Sequence, residues 1–325
     1  MDWLFWRTLC VGLATYVPWL NQYRLRRGWP PRDARYCYAV WLRHLVMLHE
    51  SGLRGRLDKV AELGPGSSLG VGLAALLSGA TEYCALDVVR YTETCRNLVV
   101  LEDLLRLFAQ REDIPGELEF PRVRPQLGSY RFPDHILAEH TLDQALRPAR
   151  VARIREALTK GVTDPEPRRT ISYCAPWSSP SVVEKGTLDL IWSQTVMEHV
   201  EDIPGTYRTM HAWLRPGGMM SHTVDFSAHT TATAWNAHWT YPDSLWRVMK
   251  GRRAYLLNRQ PCSVHLNEIE AAGFAIVTAV RERREPSLRR ERLAASLRHM
   301  SDIDLTTAGL FVVCAKPPLG RQVPP

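Results

Sequence analysis

The sequence feature that most constrains the fold is a predicted strand that runs directly into a glycine turn and a helix. The apolar run Lys59–Leu63 predicts a buried strand, Gly64-Pro65-Gly66 follows, and the Leu- and Ala-rich run Val71–Leu77 predicts a helix. Glycine allows positive φ and a close approach of the backbone to a ligand. Because a helix start also offers unpaired N–H groups, this turn is a candidate site for a polar or anionic ligand.

A second predicted strand, Tyr83–Leu86, ends in Asp87, about 20 residues after the glycines. An acidic residue at this place can accept hydrogen bonds from both hydroxyls of a ribose. The dinucleotide fingerprint G-x-G-x-x-G is not matched, because Leu69 stands where the third glycine is required. The glycines by themselves are also compatible with an ordinary strand-to-helix turn that binds nothing.

A third block lies further along the chain. Thr187–Ser193 predicts another buried strand, and the segment Gln194–Val200 follows it. The next predicted helix has an apolar face at helical spacing, made by Ile203, Tyr207, Met210 and Leu214. Pro216-Gly217-Gly218 is expected to end this helix and to lead into the strand Met219–Val224.

Together these blocks resemble the class I S-adenosylmethionine-dependent methyltransferases that act on small molecules. The resemblance rests on E-x-G-x-G from Glu62, on Asp87, and on the run D-L-I-x-S-x-x-x-x-E-H-V … L-x-P-G-G from Asp189, within roughly residues 57–280. It implies an α/β fold with a Rossmann-like seven-stranded sheet that closes in an antiparallel hairpin, and S-adenosylmethionine as cofactor. The cofactor-binding residues that it implies are Glu62, Gly64, Pro65, Gly66, Asp87, Val88, Trp177, Ser193, Gln194 and His199.

Composition sets wider limits on location and partners. The chain has 325 residues, of which 45% are hydrophobic, which is enough for a substantial core. Its seven cysteines form no C-x-x-C pair, so a reducing cytoplasm is expected and neither a zinc site nor a disulfide framework is indicated. No cluster of Asp and His has a recognisable metal-binding spacing. The net charge of +7 is compatible with nucleic acid, anionic lipid or an acidic substrate.

The first 50 residues are expected to form a helical segment ahead of a methyltransferase domain at 51–325. Residues 1–20 are apolar and aromatic, but too short to span a bilayer and a poor secretory signal. Two interpretations are open: a helix packed on the catalytic domain, or peripheral membrane contact through residues 1–27, with Arg24, Arg26 and Arg27 on lipid phosphates. Asp33 is expected to cap a helix at Ala34–Glu50.

Two insertions are expected in the methyltransferase domain. The first, about 92–168, contains predicted helices at Asn97–Phe108 and Leu137–Leu158, and forms either a cap beside the active site or a stabilising decoration. The second, about 226–262, follows a strand end, where open α/β sheets bind their ligands. The chain is then expected to close with the helix His265–Ala272, the strand Phe274–Val280, a basic helix Leu288–Met300 and the strand Leu310–Ala315.

The second insertion contains both large aromatic side chains and side chains that can take up or release a proton. His229 and His238 are candidate general bases, because histidine titrates near neutral pH, and Asp225 is placed to orient an imidazole. His199 is the alternative base. The predicted acceptor-binding residues are Trp235, Asn236, Trp239, Tyr241, Asn258 and Arg259.

The sequence thus predicts a methyltransferase that acts at an oxygen or nitrogen, with carbon as a further option. The expected acceptor is a small molecule or a lipid- or nucleotide-linked sugar, as the looser likeness to methyltransferases of polysaccharide and secondary-metabolite pathways implies. An RNA or protein methyltransferase is the alternative, although no N-P-P-[YF] motif or RNA-binding module is present. A non-catalytic protein that binds the cofactor is a third hypothesis.

Overall fold

The seven strands of this protein form one mixed sheet. The structure is a computed structural model that describes residues 3–17, 33–89, 94–160, 169–177, 179–253, 255–285 and 288–318. The strands are β1 (Lys59–Leu63), β2 (Glu82–Leu86), β3 (Ile171–Cys174), β4 (Leu188–Gln194), β5 (Leu214–Asp225), β6 (Ala275–Arg283) and β7 (Thr307–Ala315). Their order is β3-β2-β1-β4-β5-β7-β6, and only the β5–β7 and β6–β7 pairs are antiparallel. The predicted Rossmann-like α/β fold with a closing antiparallel hairpin is therefore confirmed.

Helices cover the sheet in two layers. The helices are α1 (Trp3–Ala14), α2 (Ala34–Glu50), α3 (Gly70–Leu77), α4 (Thr94–Ala109), α5 (Glu139–Ala145), α6 (Pro148–Thr159), α7 (Ile203–Trp213), α8 (Asp243–Lys250), α9 (Cys262–Ala271) and α10 (Asp302–Thr306). Alternate strand residues face opposite sides, so Trp192 packs in the α2–α3–α4 core and Ile191 in the α7–α9 core. As expected, the Asp33 carboxylate caps α2 by accepting from the Tyr36 N–H at 2.7 Å.

The strand register brings the sequence motifs together. Leu63 at the end of β1 pairs with Leu86 of β2 on one side and with Ser193 of β4 on the other. The glycine turn, Asp87 and the segment after Gln194 therefore lie at the same edge of the sheet. This edge is the switch point of the strand order, where open α/β sheets bind ligands.

The described part of the first insertion packs against α2, on one face of the sheet, and not over the edge where the motifs meet. Tyr38 of α2 contacts Phe108 of α4 with ring centroids 4.9 Å apart. The buried Arg43 guanidinium donates to the carbonyl oxygens of Pro115, Val123 and Pro125 and so fixes the proline-rich stretch. The predicted single helix at 137–158 is two helices, α5 and α6, because Pro148 begins the second.

The first helix lies against the second insertion. Phe5 of α1 packs with Trp246, Met249 and Leu257 in a small separate core. Gly12 is required by this contact, because a Cβ there would come within 2.3 Å of the Val248 carbonyl oxygen. The opposite face of α1 leaves large apolar side chains exposed to solvent, namely Trp3, Trp6, Leu13 and Tyr16. None of the described helices is both long and apolar enough to cross a bilayer, and Arg24, Arg26 and Arg27 lie outside the described residues.

Two secondary-structure predictions are wrong. Residues 288–300 contain only two single 3-10 turns instead of a basic helix, since the Arg290 side chain bonds the carbonyls of Arg298 and Met300. The Pro-Gly-Gly segment lies inside β5 rather than before it. The Gly217 N–H donates to the Lys316 carbonyl and the Lys316 N–H to the Gly218 carbonyl, which extends the antiparallel pairing to this point.

Candidate functional site

A cavity of about 880 Å³ opens at the carboxyl edge of β1, β2 and β4. It is lined by Gly64, Gly66, Ser67, Asp87, Val88, Pro176, Trp177, Pro180, Lys185, Gln194, Thr195, Val196, His199, Val200, Glu201, Asp202, Gly205, Thr206, Arg208, Thr209, Ala212, His229 and Tyr255. The described residues 94–160 of the first insertion contribute nothing to this lining. The cavity therefore brings motif residues of the sheet edge together with side chains that follow β4 and β5.

The glycine turn forms one wall of the cavity. Gly64 has φ +66° and a Cβ there would come within 2.6 Å of Val196. Gly66 has φ +67°, and a Cβ on it would meet no atom within 4 Å, because it faces open space. Both positions thus require glycine conformations, and Gly66 leaves its backbone accessible to a ligand. Two N–H groups at the start of α3 are already occupied, since Leu69 donates to Asn97 and Gly70 to Ser68.

Asp87 faces the glycine turn from the end of β2. Its carboxylate accepts from the Gly66 N–H at 3.1 Å and from the Val88 N–H at 2.7 Å. Burial raises the pKa of Asp87, and the backbone donors partly offset that rise. A buried carboxylate held in this way has acceptor capacity left for the two hydroxyls of a ribose.

The other predicted cofactor residues divide into two groups. Val88, Trp177, Gln194 and His199 line the cavity, and the Trp177 ring packs edge-on against Trp213. Glu62, Pro65 and Ser193 are buried and absent from the lining. The Tyr83 hydroxyl donates to the Glu62 carboxylate at 2.6 Å, and Ser193 pairs with His222 at 2.7 Å. The side chains of Glu62 and Ser193 therefore stabilise the ends of β1 and β4 from inside the core and do not face the cavity.

A cluster of acid and base groups forms the end of the cavity between β4 and β5. Glu198 and His199 lie on the short turn after β4, Asp225 ends β5, and His229 follows four residues later. His229 Nε2 lies 2.9 Å from Asp225 Oδ2 and 3.8 Å from Glu198 Oε1, and the His199 and His229 rings are 5.2 Å apart. His229 has φ +41°, a backbone conformation that is costly for histidine and common at functional sites.

The environment separates the pKa values of these groups. Burial raises the pKa of Glu198 to about 8 and lowers the pKa of His199 to about 4. For Asp225, burial acts to raise the pKa, but the neighbouring His229 outweighs it and lowers the value to about 2. For His229, burial acts to lower the pKa, but Asp225 and Glu198 outweigh it and raise the value. Asp225 is therefore ionised beside His229, and burial favours the neutral forms of Glu198 and His199.

The structure does not bring the other candidate base or the predicted aromatic wall to this cavity. His238 is 2% exposed and packs on Trp239 and Trp246, and burial lowers its pKa to about 3. Trp239 is fully buried, Trp235 donates to the Glu285 carbonyl, and Tyr241 donates to the Thr231 carbonyl and stacks on Trp246. Asn236 is also fully buried. Trp239 and Trp235 thus pack in the α7–α9 core, and Tyr241 and Trp246 in the small core with α1.

Asn258 and Arg259 link the second insertion to the edge of the sheet where the cavity opens, but neither residue lines the cavity. The Asn258 amide donates to the carbonyls of Met197 and Val200, both at 2.8 Å. The Arg259 guanidinium lies over the Trp246 ring at 5.0 Å and forms an ion pair with Asp243. Both side chains therefore position other elements of the site.

Sequence reasoning missed several residues at this site. Glu198 is not among the predicted site residues, although an acidic residue next to a histidine after a buried strand is a usable signal. Lys185, Thr195, Arg208 and Tyr255 also line the cavity, and no motif indicated them. Thr195 has φ +55°, which turns the chain sharply after β4.

A second cavity of about 690 Å³ lies among α2, α3, α5 and α6. Its lining is rich in arginine and includes Arg54, Arg56, Arg147, Arg150 and Arg153. It contains none of the predicted cofactor residues.

Comparison with known proteins places the chain next to methyltransferases. Residues 132–278 match the protein family described as "Methyltransferase domain". A comparison with curated proteins finds no match. The matched range includes β3, β4 and β5 and the cluster of Glu198, His199, Asp225 and His229.

Solved structures of methyltransferases are similar to this chain at low identity. An S-adenosylmethionine-dependent methyltransferase from Mesorhizobium loti is 14% identical, with 83% of this chain and 96% of that chain covered and a TM-score of 0.40. Phosphoethanolamine N-methyltransferase 2 from Haemonchus contortus, in complex with S-adenosyl-L-methionine, is 13% identical over 88% of this chain and 57% of that chain, with a TM-score of 0.41. An S-adenosylmethionine-dependent methyltransferase from Methanosarcina mazei is 10% identical, with 84% of this chain and 97% of that chain covered and a TM-score of 0.42.

The cavity fits S-adenosylmethionine, the cofactor that the resemblance implies. The open space at Gly66 admits a ligand against the backbone, and the buried Asp87 carboxylate suits ribose hydroxyls. Trp177 and the half-exposed Val88 lie on the same wall, where they can flank an adenine ring.

Replacing Asp87 is expected to weaken cofactor binding selectively. In Asp87→Ala the ribose hydroxyls lose their buried partner, which costs about 1 to 3 kcal/mol, or roughly 5- to 150-fold in affinity. Isothermal titration calorimetry with S-adenosylhomocysteine measures this loss, with the surface variant Asp134→Ala as the matched control. Equal affinities of wild type and Asp87→Ala would contradict the assignment.

Proposed function

We propose that this chain, which is a class I S-adenosylmethionine-dependent methyltransferase, methylates a hydroxyl group of a small polar acceptor. When bound, S-adenosylmethionine supplies a methyl group that is already activated on a sulfonium sulfur. The protein's task is then to align the acceptor, exclude water and remove the hydroxyl proton. The observation that carries the proposal is His229 on the wall of the cavity that holds the cofactor motifs, with Asp225 Oδ2 at 2.9 Å from its Nε2.

The position of His229 suits removal of the acceptor proton. Its imidazole reaches the cavity, whereas the imidazole of His238 is enclosed by tryptophans. Asp225 at 2.9 Å stabilises the imidazolium that forms when the ring takes a proton. We therefore assign proton removal to the Asp225–His229 pair, with His199 as a neighbouring polar wall.

The rim of the cavity favours an acceptor that carries an anionic group. Lys185 and Arg208 line the cavity, and within the described part of the chain neither forms an ion pair with an acidic residue. Of the acidic residues on the same lining, Glu201 pairs with Lys250 and Asp202 caps α7. The side chains of Lys185 and Arg208 are exposed and can reach a phosphate. A phosphate next to hydroxyl groups is what a nucleotide- or lipid-linked sugar presents, so we propose this acceptor class.

The acceptor proposal is tested by methyl transfer from labelled cofactor to a panel of compounds. Nucleotide-linked sugars are expected to be methylated faster than the corresponding free sugars, and mass spectrometry of the product should place the methyl on oxygen. The double variant Lys185→Ala/Arg208→Ala should raise KM for the phosphorylated acceptor and leave kcat unchanged. Methylation of carbon, or transfer only to RNA or protein, would contradict the proposal.

Loss of the His229 side chain is expected to reduce turnover without reducing cofactor affinity. His229→Ala should lower kcat about 10²- to 10⁴-fold, because the acceptor proton then has no positioned partner. The exposed His140→Ala is the matched control and should keep the wild-type rate. A wild-type kcat in His229→Ala would exclude proton removal by this pair.

We also propose that the chain works at the surface of an anionic membrane. The exposed face of α1 carries Trp3, Trp6 and Leu13, and the exposed Arg7 lies on the same face. Near the end of α1, the Arg252 guanidinium lies over the Tyr16 ring, 5.2 Å from the ring centroid. Aromatic rings and arginines at one surface match the boundary between acyl chains and anionic headgroups, and such a contact agrees with a lipid-linked acceptor.

Membrane contact is tested by co-sedimentation of the whole chain with vesicles. Binding to vesicles that contain phosphatidylglycerol should exceed binding to pure phosphatidylcholine and should weaken at high salt. The double variant Trp3→Ser/Trp6→Ser should lose most of this binding, while Leu118→Ser, which removes an exposed apolar side chain elsewhere, should not. Equal binding by both variants would contradict a membrane role for α1.

A further inference from the structure

The acid and base cluster at the end of the cavity contains acceptor atoms without donors. Both carboxylate oxygens of Glu198 are buried and lack a hydrogen-bond partner within the described part of the chain. The same holds for His199 Nδ1 and His229 Nε2. His229 Nε2 also lies 2.9 Å from Asp225 Oδ2, without hydrogen-bond geometry.

Burying these unpaired polar atoms costs free energy unless a ligand or an ion interacts with them. Glu198 is only 2% exposed, and a buried carboxylate without donors loses its hydration with no compensation. A cation would satisfy the Glu198 oxygens and both imidazole nitrogens at once.

The distances suit coordination of one metal ion. One ligand atom each from Glu198, His199 and His229 lies within 4.8 Å of the others, as atoms around a shared ion do. Two ligands about 2.1 Å from a metal lie about 3.0 Å apart at a right angle and about 3.8 Å apart at a wide angle. The 3.8 Å separation of His229 Nε2 and Glu198 Oε1 matches the wide angle.

The surroundings hold these ligands in place. Asn258 fixes both sides of the turn that carries Glu198 and His199. The positive φ of His229 fixes the backbone from which the second imidazole projects. The site is therefore built by three separate segments.

We propose that Glu198, His199 and His229 bind a divalent transition-metal ion, to which the acceptor hydroxyl also coordinates. Two imidazoles and a carboxylate suit Zn²⁺, Fe²⁺, Co²⁺, Ni²⁺ or Mn²⁺. The proposal rests on the proposed function, because it specifies how the acceptor hydroxyl is activated. A metal-bound imidazole nitrogen cannot also take up a proton, so the Asp225 carboxylate becomes the group that receives the hydroxyl proton.

In the transfer step, one bond to hydrogen and one bond to sulfur break while one bond to carbon forms. The O–H bond breaks and its proton passes to the half-exposed Asp225 and on to solvent. The oxygen lone pair forms the new O–CH₃ bond, and the C–S bond breaks with its electron pair on sulfur. The products are the methyl ether and S-adenosylhomocysteine, and the ion keeps its charge. Coordination makes this possible near neutral pH because it lowers the pKa of the bound hydroxyl.

The test measures metal binding directly on untagged protein. The chain is stripped with EDTA and titrated with Co²⁺, whose visible absorption reports its ligands. We expect one Co²⁺ per chain, with imidazole and carboxylate ligation, and a rise in Tm on binding. Glu198→Gln and His199→Ala should each weaken Co²⁺ binding by about 10- to 100-fold or more and lose the Tm shift. His140→Ala should bind as wild type does.

The outcomes separate this inference from the proposed function. The inference is overturned if wild type binds no Co²⁺ above a folded control protein, or if Glu198→Gln and His199→Ala bind it unchanged. It is also overturned if EDTA-treated enzyme methylates its acceptor at the full rate, in which case the Asp225–His229 pair acts alone and the proposed function stands. Tight metal binding without oxygen methylation of any acceptor would instead contradict the proposed function.

Discussion

Three hydrogen bonds from Asn258 hold the part of the protein on which the candidate chemistry depends. Its amide donates to the carbonyls of Met197 and Val200 at 2.8 Å, and its N–H donates to the Glu198 carbonyl at 2.7 Å. The turn between these carbonyls is a single 3-10 turn, too short to fix its own geometry. The segment after β5 thus supports the turn after β4, and a change at Asn258 would reach the acid and base cluster without touching the cofactor motifs.

The same segment links the active edge to the first helix. The Arg259 guanidinium lies over Trp246, and Phe5 of α1 belongs to the core that contains Trp246. Trp239 donates to the Arg259 carbonyl and completes this packing. A helix with an exposed apolar face is therefore joined by continuous contacts to the residues that position the candidate chemistry. This explains why the second insertion carries so many tryptophans away from the cavity.

The seven-stranded sheet could be predicted from the resemblance to class I methyltransferases, and the strand ends next to Gly64, Gly66 and Asp87 could be predicted from local sequence. Apolar runs that end in glycine or an acidic residue define strand ends, and parallel strands bring those ends to one edge, so Gly64, Gly66 and Asp87 meet. The arrangement after β5 could not be predicted in the same way. His238 is near Asp225 in sequence but is enclosed by tryptophans, whereas Glu198 is distant in sequence and faces His229. Such contacts depend on how an irregular segment folds back, which no periodicity encodes.

The most direct measurement of the central claim is a crystal structure of the protein with S-adenosylhomocysteine. The account predicts the ribose at the Asp87 carboxylate, the adenine beside Trp177 and the sulfur directed at the end of the cavity formed by His199 and His229. In that arrangement, an acceptor hydroxyl at the cluster lies in line with the methyl group to be transferred. Density for the ligand in the arginine-rich cavity between α2 and α6, or a sulfur directed away from His229, would contradict it.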